Sequence, residues 1–229
     1  SKACKILKSY VMKIMAICIL SSLVLASCNS KPSETQSETT AENQETKTNV
    51  EEMSFYDLFK RISPEEIGDN VFTLVGKDFT VITAGKENHY NAMTASWGGL
   101  GILFNKPVSW CILRANRYTL ELIQEEKTYT LSYFPDEYKE QVMFLGSKSG
   151  RDSEKMKEVQ LTAIQTPSDD MSFKEARLII ECRLTELTTV SPNDFYTEES
   201  KDFINEAYKE ANDYHKLVFG EITHVWVRK

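Results

Sequence analysis

Hydrophobic and polar positions along this chain follow mainly the period of β-strands. Strand-like runs rich in Val, Ile, Thr and aromatic residues lie at Val71–Val75, Phe79–Thr83, Met93–Trp97, Val108–Arg114, Thr128–Phe134, Leu178–Thr189 and Leu217–Val227. Helical periodicity is rarer and predicts helices at Phe55–Ile62, Tyr118–Glu125, Asp136–Leu145 and Glu198–Ala211. Because these elements do not alternate regularly, the pattern argues against a doubly wound parallel sheet. It predicts a mainly β fold with peripheral helices, in which an antiparallel barrel is closed or partly closed.

The N-terminal segment has the pattern of a bacterial lipoprotein export signal. Its positively charged part, which has no acidic residue, contains Lys2, Lys5, Lys8 and Lys13. The uncharged run Ile14–Ala26 is shorter than the roughly 20 residues that span a bilayer as a helix. It leads into Leu25-Ala26-Ser27-Cys28, which resembles a lipobox, although a short membrane helix with a chance cysteine would read similarly. We expect residues 1–27 to be a signal peptide and Cys28 to be lipidated, which anchors the chain to a membrane outside the cytoplasm, in the cell envelope.

A polar segment separates this signal from the rest of the chain. Residues 29–49 contain no aromatic residue and almost no apolar one, so burial cannot offset the entropy of ordering them. We expect residues 28–52 to form the lipidated cysteine and a disordered acidic tether. The remaining residues, 53–229, are long enough for one domain with a substantial core.

Removal of the signal changes the charge and the cysteine count. Without residues 1–27 the net charge falls from −7 to −11, which argues against nucleic acid as a partner because phosphate binding needs a basic face. Only Cys111 and Cys182 then remain as internal cysteines. An oxidising compartment permits a disulfide between them, but both lie in apolar runs, which favours buried free thiols.

Several common catalytic motifs are missing from the sequence. His89, His215 and His224 lie neither in a His-Glu-x-x-His pattern nor beside a cysteine pair, so we predict no metal site. The glycines of Gly98–Gly101 lack the spacing of a dinucleotide-binding loop, and Gly146–Gly150 lacks the order of a P-loop. A Gly-x-Ser-x-Gly nucleophile turn is also missing.

Two segments have the chemistry of an anion site. The sequence predicts a helix that is capped by Asn116 and begins at Arg117-Tyr118-Thr119, where free backbone N–H groups and the helix dipole attract negative charge. A guanidinium, a hydroxyl and main-chain donors could together hold a phosphate monoester there. The second segment, Lys148–Asp152, places two cations around a glycine just beyond a helix end. Either segment alone could be an ordinary solvated surface.

The segment Asn91–Trp97 offers a different surface. As a strand it would place Ala92, Thr94 and Ser96 on one face, and Met93, Ala95 and Trp97 on the other. Small residues with hydroxyl groups allow a flat ring to approach the backbone, although an ordinary barrel strand with a small-residue face would look the same.

Five segments, in order, give the chain a recognisable resemblance. They are Asn91–Trp97, Lys106-Pro107-Val108, Arg114–Thr119, Phe144–Asp152, and Asp213-Tyr214-His215 with Gly220-Glu221-Ile222. Over about residues 70–229 the chain resembles the flavin reductase-like, FMN-binding split-barrel family, and in particular its flavoredoxin branch. The resemblance implies a split β-barrel, a homodimer with FMN near the subunit interface, and redox chemistry at the isoalloxazine ring.

The resemblance also implies roles for individual residues. The ring and ribityl chain would lie along Ala92, Met93, Thr94, Ala95, Ser96 and Trp97. The phosphate would be held by Arg117, Tyr118 and Thr119, with assistance from Lys148, Ser149 and Arg151. His215 matches a histidine that flavin reductases place near the nicotinamide, although here Tyr214 separates it from Asp213. His215 is therefore the candidate catalytic residue, with a surface position as the alternative.

Three functions follow for this chain. The first is an FMN-dependent oxidoreductase that takes hydride from NAD(P)H. The second is an electron carrier of the flavoredoxin kind, supplied by a membrane or protein partner, which suits a domain held outside the cytoplasm. The third is an exported binding module that keeps the barrel without flavin.

Overall fold

A computed structural model describes residues 53–209 and 213–229. The predicted signal peptide, the lipidation at Cys28 and the predicted tether lie outside the described residues. Six helices occur in the described part: α1 (Phe55–Leu58), α2 (Val71–Gly76), α3 (Tyr118–Glu126), α4 (Lys139–Ser147), α5 (Lys155–Glu158) and α6 (Glu198–Tyr208). Short 3-10 turns occupy Pro64–Glu66, Asp136–Tyr138 and Pro192–Asp194. No helix in these ranges has the length and apolar character needed to cross a membrane.

Ten strands form the largest part of the regular structure in the described residues. They are β1 (Phe59–Ile62), β2 (Thr80–Lys86), β3 (His89–Ala95), β4 (Gly98–Leu103), β5 (Lys106–Arg114), β6 (Thr128–Tyr133), β7 (Ala163–Gln165), β8 (Met171–Phe173), β9 (Leu178–Thr189) and β10 (His215–Arg228). The main sheet has the order β3-β2-β6-β9-β10-β5-β4, and β7 pairs with β8 separately. The mainly β fold with peripheral helices is therefore confirmed.

Strand β10 organises the main sheet. It pairs with β9 along most of its length. On its other side it pairs antiparallel with β5 over 215–221 and with β1 over 225–228. Two different strands therefore share one flank of β10, and the β3-β2-β6 strands continue from the far side of β9.

The sheet buries a separate hydrophobic cluster on each face, because side chains alternate along each strand. Val81 and Ile179 belong to one cluster, and their neighbours Ile82 and Ile180 to the other. The first cluster is covered by α1 and α4, and the second contains the buried side of α3. Helices α3 and α4 are thereby fixed on opposite faces of β3, with their ends available to form a site.

Two sequence predictions of secondary structure are wrong. Val71–Val75 is helical, not extended, because the Asn70 side chain accepts hydrogen bonds from the N–H groups of Phe72 and Thr73 and so caps α2. The helix predicted over Phe55–Ile62 ends at Leu58, since Phe59–Ile62 pairs with the end of β10 as β1. Long-range pairing in the second case overrides the local preference.

Strand β4 was missed because its glycines suggest a loop. Gly98–Leu103 pairs with β5 throughout, and the indole of Trp110 packs over Gly99. A Cβ atom at Gly99 would lie only 2.7 Å from Trp110 Nε1, so glycine permits the close approach of this side chain. The short elements β1, α5, β7 and β8 were also not predicted.

Cys111 and Cys182 are buried free thiols, as the apolar runs indicated. Burial raises the pKa of Cys111, and it raises the pKa of Cys182 to about 12. We expect neither thiol to react with Ellman's reagent in the folded protein at pH 8, whereas two thiols of residues 53–229 should react after unfolding in guanidinium. Rapid labelling of the folded domain would contradict this arrangement.

Candidate functional site

A polar cleft lies where the start of α3, the end of α4 and strand β3 meet. Its volume is about 70 Å³. It is lined by Asn91, Met93, Thr94, Asn116, Arg117, Tyr118, Thr119, Leu145, Gly146, Lys148, Ser149, Gly150 and Lys155. The structure thus brings together in one cleft the two segments that the sequence indicated as anion sites, at Asn116–Thr119 and Lys148–Gly150.

Helix α3 opens into this cleft without a side-chain cap. Its first residue is Tyr118, and the preceding Arg117 is extended, with φ −75° and ψ 128°. The predicted cap at Asn116 is wrong: its amide donates instead to Asp213 Oδ2 at 3.1 Å. Capping would require the Asn116 Oδ1 to accept from the first N–H groups, but the helix begins at Tyr118, so Arg117 and not Asn116 occupies the cap position, and the bond to Asp213, which Arg114 also contacts, turns the Asn116 amide towards that carboxylate. The Leu120 N–H donates to the Arg117 carbonyl at 3.0 Å, while the N–H groups of Tyr118 and Thr119 remain available to an anion.

Arg117 and Thr119 supply side-chain donors at this helix start. Arg117 is exposed, and within the described ranges its guanidinium has no ion-pair partner. Thr119 is buried, and its hydroxyl oxygen accepts a 2.7 Å hydrogen bond from Asn91 Nδ2. Because that oxygen is already an acceptor, its own hydrogen is left to donate into the cleft.

Lys155, which sequence analysis missed, is the buried cation of the cleft. Its side chain is 2% exposed, and Nζ donates to the carbonyl oxygens of Leu145 at 3.1 Å and Lys148 at 3.0 Å. An ammonium group has three N–H donors, so one remains for a ligand. Burial, with the positive charge of Arg117 as a second cause, lowers the pKa of Lys155 to about 8.

The loop after α4 contributes less charge to the cleft than the sequence suggested. Lys148 Nζ bonds Glu158 Oε2 at 2.5 Å and lies over the Phe144 ring. Ser149 Oγ accepts from the Arg151 backbone N–H at 3.2 Å and keeps its own hydrogen free. Lys148 therefore supplies mainly its carbonyl, while Ser149 supplies a hydroxyl donor.

Arg151 lies behind the cleft and not in its lining. Its guanidinium donates to the Asn116 carbonyl at 2.7 Å, pairs with Glu121 and lies over the Tyr118 ring. These contacts hold the loop against the start of α3. In this arrangement Arg151 positions the cleft, and Arg117 and Lys155 supply its charge.

Gly150 is required where this loop meets β3. A Cβ atom there would lie 2.1 Å from Asn91 Oδ1, much too close for any side chain. Gly146 is also tight, since its Cβ would lie 3.2 Å from Thr94 Cβ. The two glycines allow the loop and strand to form the narrow base of the cleft.

The segment Asn91–Trp97 shows the expected alternation only as far as β3 extends. Ala92 is buried against α4, while Met93 and Ala95 pack towards the opposite cluster. Thr94 donates to the Val142 carbonyl and lies in the cleft wall. It also lines a neighbouring cavity together with Ala95 and Ser96. A continuous surface thus runs from the polar cleft along β3 towards Trp97.

Trp97 and His215 meet at the far end of this surface. Their ring centroids are 5.4 Å apart, and Trp97 is 49% exposed. The Tyr208 hydroxyl contacts His215 Nδ1 and also accepts from the His215 backbone N–H at 3.4 Å. A hydroxyl that accepts from this N–H can give its hydrogen to Nδ1, which leaves the ring proton on Nε2. Burial, with a smaller contribution from Arg114, lowers the pKa of His215 to about 4.

His89 and His224 line neither the polar cleft nor the neighbouring cavity. His89 Nε2 contacts the Tyr118 hydroxyl at 3.1 Å, and His224 Nδ1 lies 3.0 Å from the buried Glu181 carboxylate. In the described ranges, no group of three or more His, Cys, Asp or Glu residues could hold a metal ion. We therefore assign no metal ligand.

The fold defines a split β-barrel protein, and its cleft is lined by cations and hydrogen-bond donors. The chain belongs to the flavin reductase like domain family, whose model matches residues 73–229. The family predicted from the five sequence segments is thereby confirmed. A search of curated proteins by sequence gave no match.

Solved structures share the fold at low sequence identity. An FMN-binding protein from Thermus thermophilus with bound p-hydroxybenzaldehyde is 21% identical to this chain, with a TM-score of 0.51. The match covers 65% of this chain and 70% of the Thermus protein. Flavoredoxin from Methanosarcina acetivorans is 18% identical, with a TM-score of 0.51, and the match covers 73% of this chain and 75% of the flavoredoxin. An FMN-binding domain of flavin reductases-like enzyme from Shewanella baltica is 16% identical, with a TM-score of 0.53, and the match covers 74% of this chain and 76% of the Shewanella chain. These matches confirm the split-barrel fold.

The residues of the cleft fit the phosphate of such a cofactor. Arg117 has no ion-pair partner in the described part, Lys155 has an unused donor, and the hydroxyl of Thr119 can still donate. All of these groups are donors or cations, which is the donor set that a phosphate dianion requires.

Proposed function

We propose that this chain binds FMN and transfers electrons through it as a flavin reductase-like oxidoreductase. The observation that carries the proposal is the polar cleft, in which Arg117 and the buried Lys155 face an uncapped helix start. When bound, FMN would supply reversible two-electron chemistry at its ring. The protein would hold the phosphate at the cleft and direct the ring along the β3 surface.

The ring would lie beyond Thr94, next to Ala95, Ser96 and Trp97. This placement is supported by the cavity that Thr94, Ala95 and Ser96 line, which shares Thr94 and Gly146 with the polar cleft, and Trp97 follows directly in the sequence. His215 is the candidate catalytic residue because it lies beside Trp97. With a pKa of about 4, its imidazole would act as a neutral Nε2–H donor and not as a cation.

We expect His215 to remain neutral from pH 5.5 to pH 8. Its lowered pKa places titration near pH 4, below the usual range for histidine. An NMR titration, with the resonance assigned by a His215→Gln variant, should show no shift of the His215 ring signal in this interval. A midpoint near pH 6.5 would show that the ring is solvated and free of Tyr208.

The cofactor proposal is tested by the absorption spectrum of the purified chain. We expect a yellow protein that releases FMN on denaturation and rebinds it stoichiometrically. A colourless protein that does not bind added FMN would favour the exported binding module without flavin. Consumption of NADH or NADPH under steady-state conditions would then identify the oxidoreductase.

The carrier function is the second candidate, and the predicted export signal favours it. A domain held outside the cytoplasm by Cys28 has no obvious supply of NAD(P)H, so a membrane or protein partner would have to deliver electrons. Bound FMN without turnover of either nicotinamide donor would select this function. Metabolic labelling with a fatty acid, abolished by Cys28→Ala, tests the lipid anchor itself.

We also propose a homodimer, as the family resemblance implies. Its support in the structure is the edge strand β4 and the following turn, where Ile102 is 70% and Phe104 is 84% exposed. Exposed apolar side chains on a sheet edge favour association. Light scattering should give twice the chain mass, and Phe104→Glu should reduce it towards the monomer.

A further inference from the structure

A second cavity, much larger than the polar cleft, lies between α6 and the adjoining ends of β5, β9 and β10. Its volume is about 940 Å³, which is in the upper range for small-molecule sites. The apolar part of its wall includes Trp97, Ile112, Phe203 and Leu217. Trp97 and Phe203 lie 6.2 Å apart, edge to face, and both are partly exposed. Such an aromatic wall is suited to a flat ring.

The polar part of the wall offers hydrogen-bond donors. Three hydroxyl oxygens already act as acceptors within the protein: Thr189 from Lys216, Ser191 from the Asn193 N–H, and Ser200 from Thr197. Each hydroxyl hydrogen is therefore free to donate to a ligand. The ligand that fits these groups carries acceptors such as carbonyl oxygens.

The charge of this cavity is opposite to that of the polar cleft. The charged side chains that line its described part are Asp194 and Glu199, and no lysine or arginine lines that part. A ligand with phosphates would meet the two carboxylates of the lining, which disfavours its binding, and Lys216, whose ammonium contacts Thr189 Oγ1, is not among the lining residues. The cavity is therefore poorly suited to the pyrophosphate of a nicotinamide dinucleotide.

We propose that this cavity binds an uncharged, planar ring compound with carbonyl acceptors, of the quinone type. The ring would stack in the aromatic wall at Trp97, and its carbonyl oxygens would accept from the free hydroxyl groups. The proposal that the ring compound binds rests on this cavity alone. Only the position of the compound beside the flavin rests on the function proposed above.

The test is a fluorescence titration of the purified chain, with and without added FMN. The probes are 2-methyl-1,4-naphthoquinone, which is uncharged, and 1,4-naphthoquinone-2-sulfonate, which has a similar ring and one negative charge. We expect saturable quenching by the uncharged quinone that is largely lost in Trp97→Phe. The sulfonate should bind at least about tenfold more weakly because of the two carboxylates.

A charge-neutral variant provides the matched control. In Asp194→Asn with Glu199→Gln, the affinity for the sulfonate should rise towards that for the uncharged quinone, which should itself change little. Equal affinities in the unaltered chain, or quenching that does not saturate, would overturn the proposal. Protection of Trp97 from acrylamide would also overturn it, since a second copy of the chain would then cover the cavity. FMN binding without quinone binding refutes this inference alone, and the reverse result refutes only the proposed FMN function.

Discussion

Replacement of Arg117 by alanine is expected to weaken FMN binding by about 2 to 3 kcal/mol, or roughly 30- to 150-fold. Arg117 stands at the uncapped start of α3, and its guanidinium has no ion-pair partner in the described residues. A phosphate would be its one charged contact. Equilibrium titration of the apoprotein, followed by flavin fluorescence, measures the change.

Two controls separate this effect from a general disturbance of the cleft. Riboflavin lacks the phosphate, so its affinity should be unchanged by Arg117→Ala. Stability should also change little, because Arg117 is exposed and its side chain caps nothing. An equal loss of affinity for FMN and riboflavin would contradict the assignment of Arg117 to the phosphate.

Arg151 gives a matched comparison on the same surface. Its guanidinium already donates to the Asn116 carbonyl and pairs with Glu121, so it is not free to bind a phosphate directly. Arg151→Ala should therefore weaken FMN binding less than Arg117→Ala. If Arg151 proved the more important of the two, the anion would lie on the other side of the loop.

The sequence could predict which donors the start of α3 offers, because the helix start itself creates them. Arg117 and Thr119 follow directly from a strand-to-helix boundary, and an uncapped first turn attracts anions wherever it is placed. The Asn116 cap could not be predicted correctly, since Asp213 is remote in sequence and reaches Asn116 only in the folded chain. Local sequence patterns therefore show which hydrogen-bonding groups a segment contains, but not which distant residue those groups bond in the folded chain.

Lys155 shows the same limit more sharply. It lies in Glu154–Glu158, a charged segment that resembles a solvated helix face, and its neighbour Lys157 is indeed exposed and paired with Glu154. Lys155 becomes buried only because the folded chain places this segment against the end of α4, where its ammonium donates to the Leu145 and Lys148 carbonyl groups. No spacing in the sequence distinguishes the two lysines.

The fold was predictable in class but not in every element. Runs rich in Val, Ile, Thr and aromatic residues identified the long strands β5, β6, β9 and β10. Strand β6 and the first part of β9 are buried on both faces of the sheet, whereas β5 and β10 are buried at alternate positions over part of their length. The strand β4 and the helix α2 could not be predicted, because local features that hydrophobic patterns do not include stabilise them. In β4 these were glycines that accommodate Trp110, and in α2 it was the capping amide of Asn70.

Lys155→Met is expected to weaken FMN binding by about 2 to 3 kcal/mol, because it removes a buried charge-assisted donor. Methionine keeps the length and apolar stem of the side chain, so the cleft should keep its shape. The carbonyl groups of Leu145 and Lys148 lose a donor, which should cost roughly 1 to 3 kcal/mol of stability. Denaturant titration measures that cost separately from the FMN affinity.

The pH dependence of FMN affinity distinguishes Lys155 from the other cations. Its pKa is about 8 without ligand, and a bound phosphate dianion would raise it. Binding is then strongest while the ammonium is charged, below about pH 8, and weakens by up to about tenfold per pH unit as the pH rises above that value. Below about pH 6 affinity also falls, since the phosphate monoester gains a proton.

The decline above pH 8 should vanish in Lys155→Met, while the acid limb remains. Riboflavin should show neither limb, because both depend on the phosphate. Arg117→Ala should keep the alkaline decline but shift it to higher pH, since the charge of Arg117 is one cause of the lowered pKa of Lys155. An alkaline decline that persists in Lys155→Met would assign the titration to the flavin ring or to another group and remove Lys155 from the phosphate site.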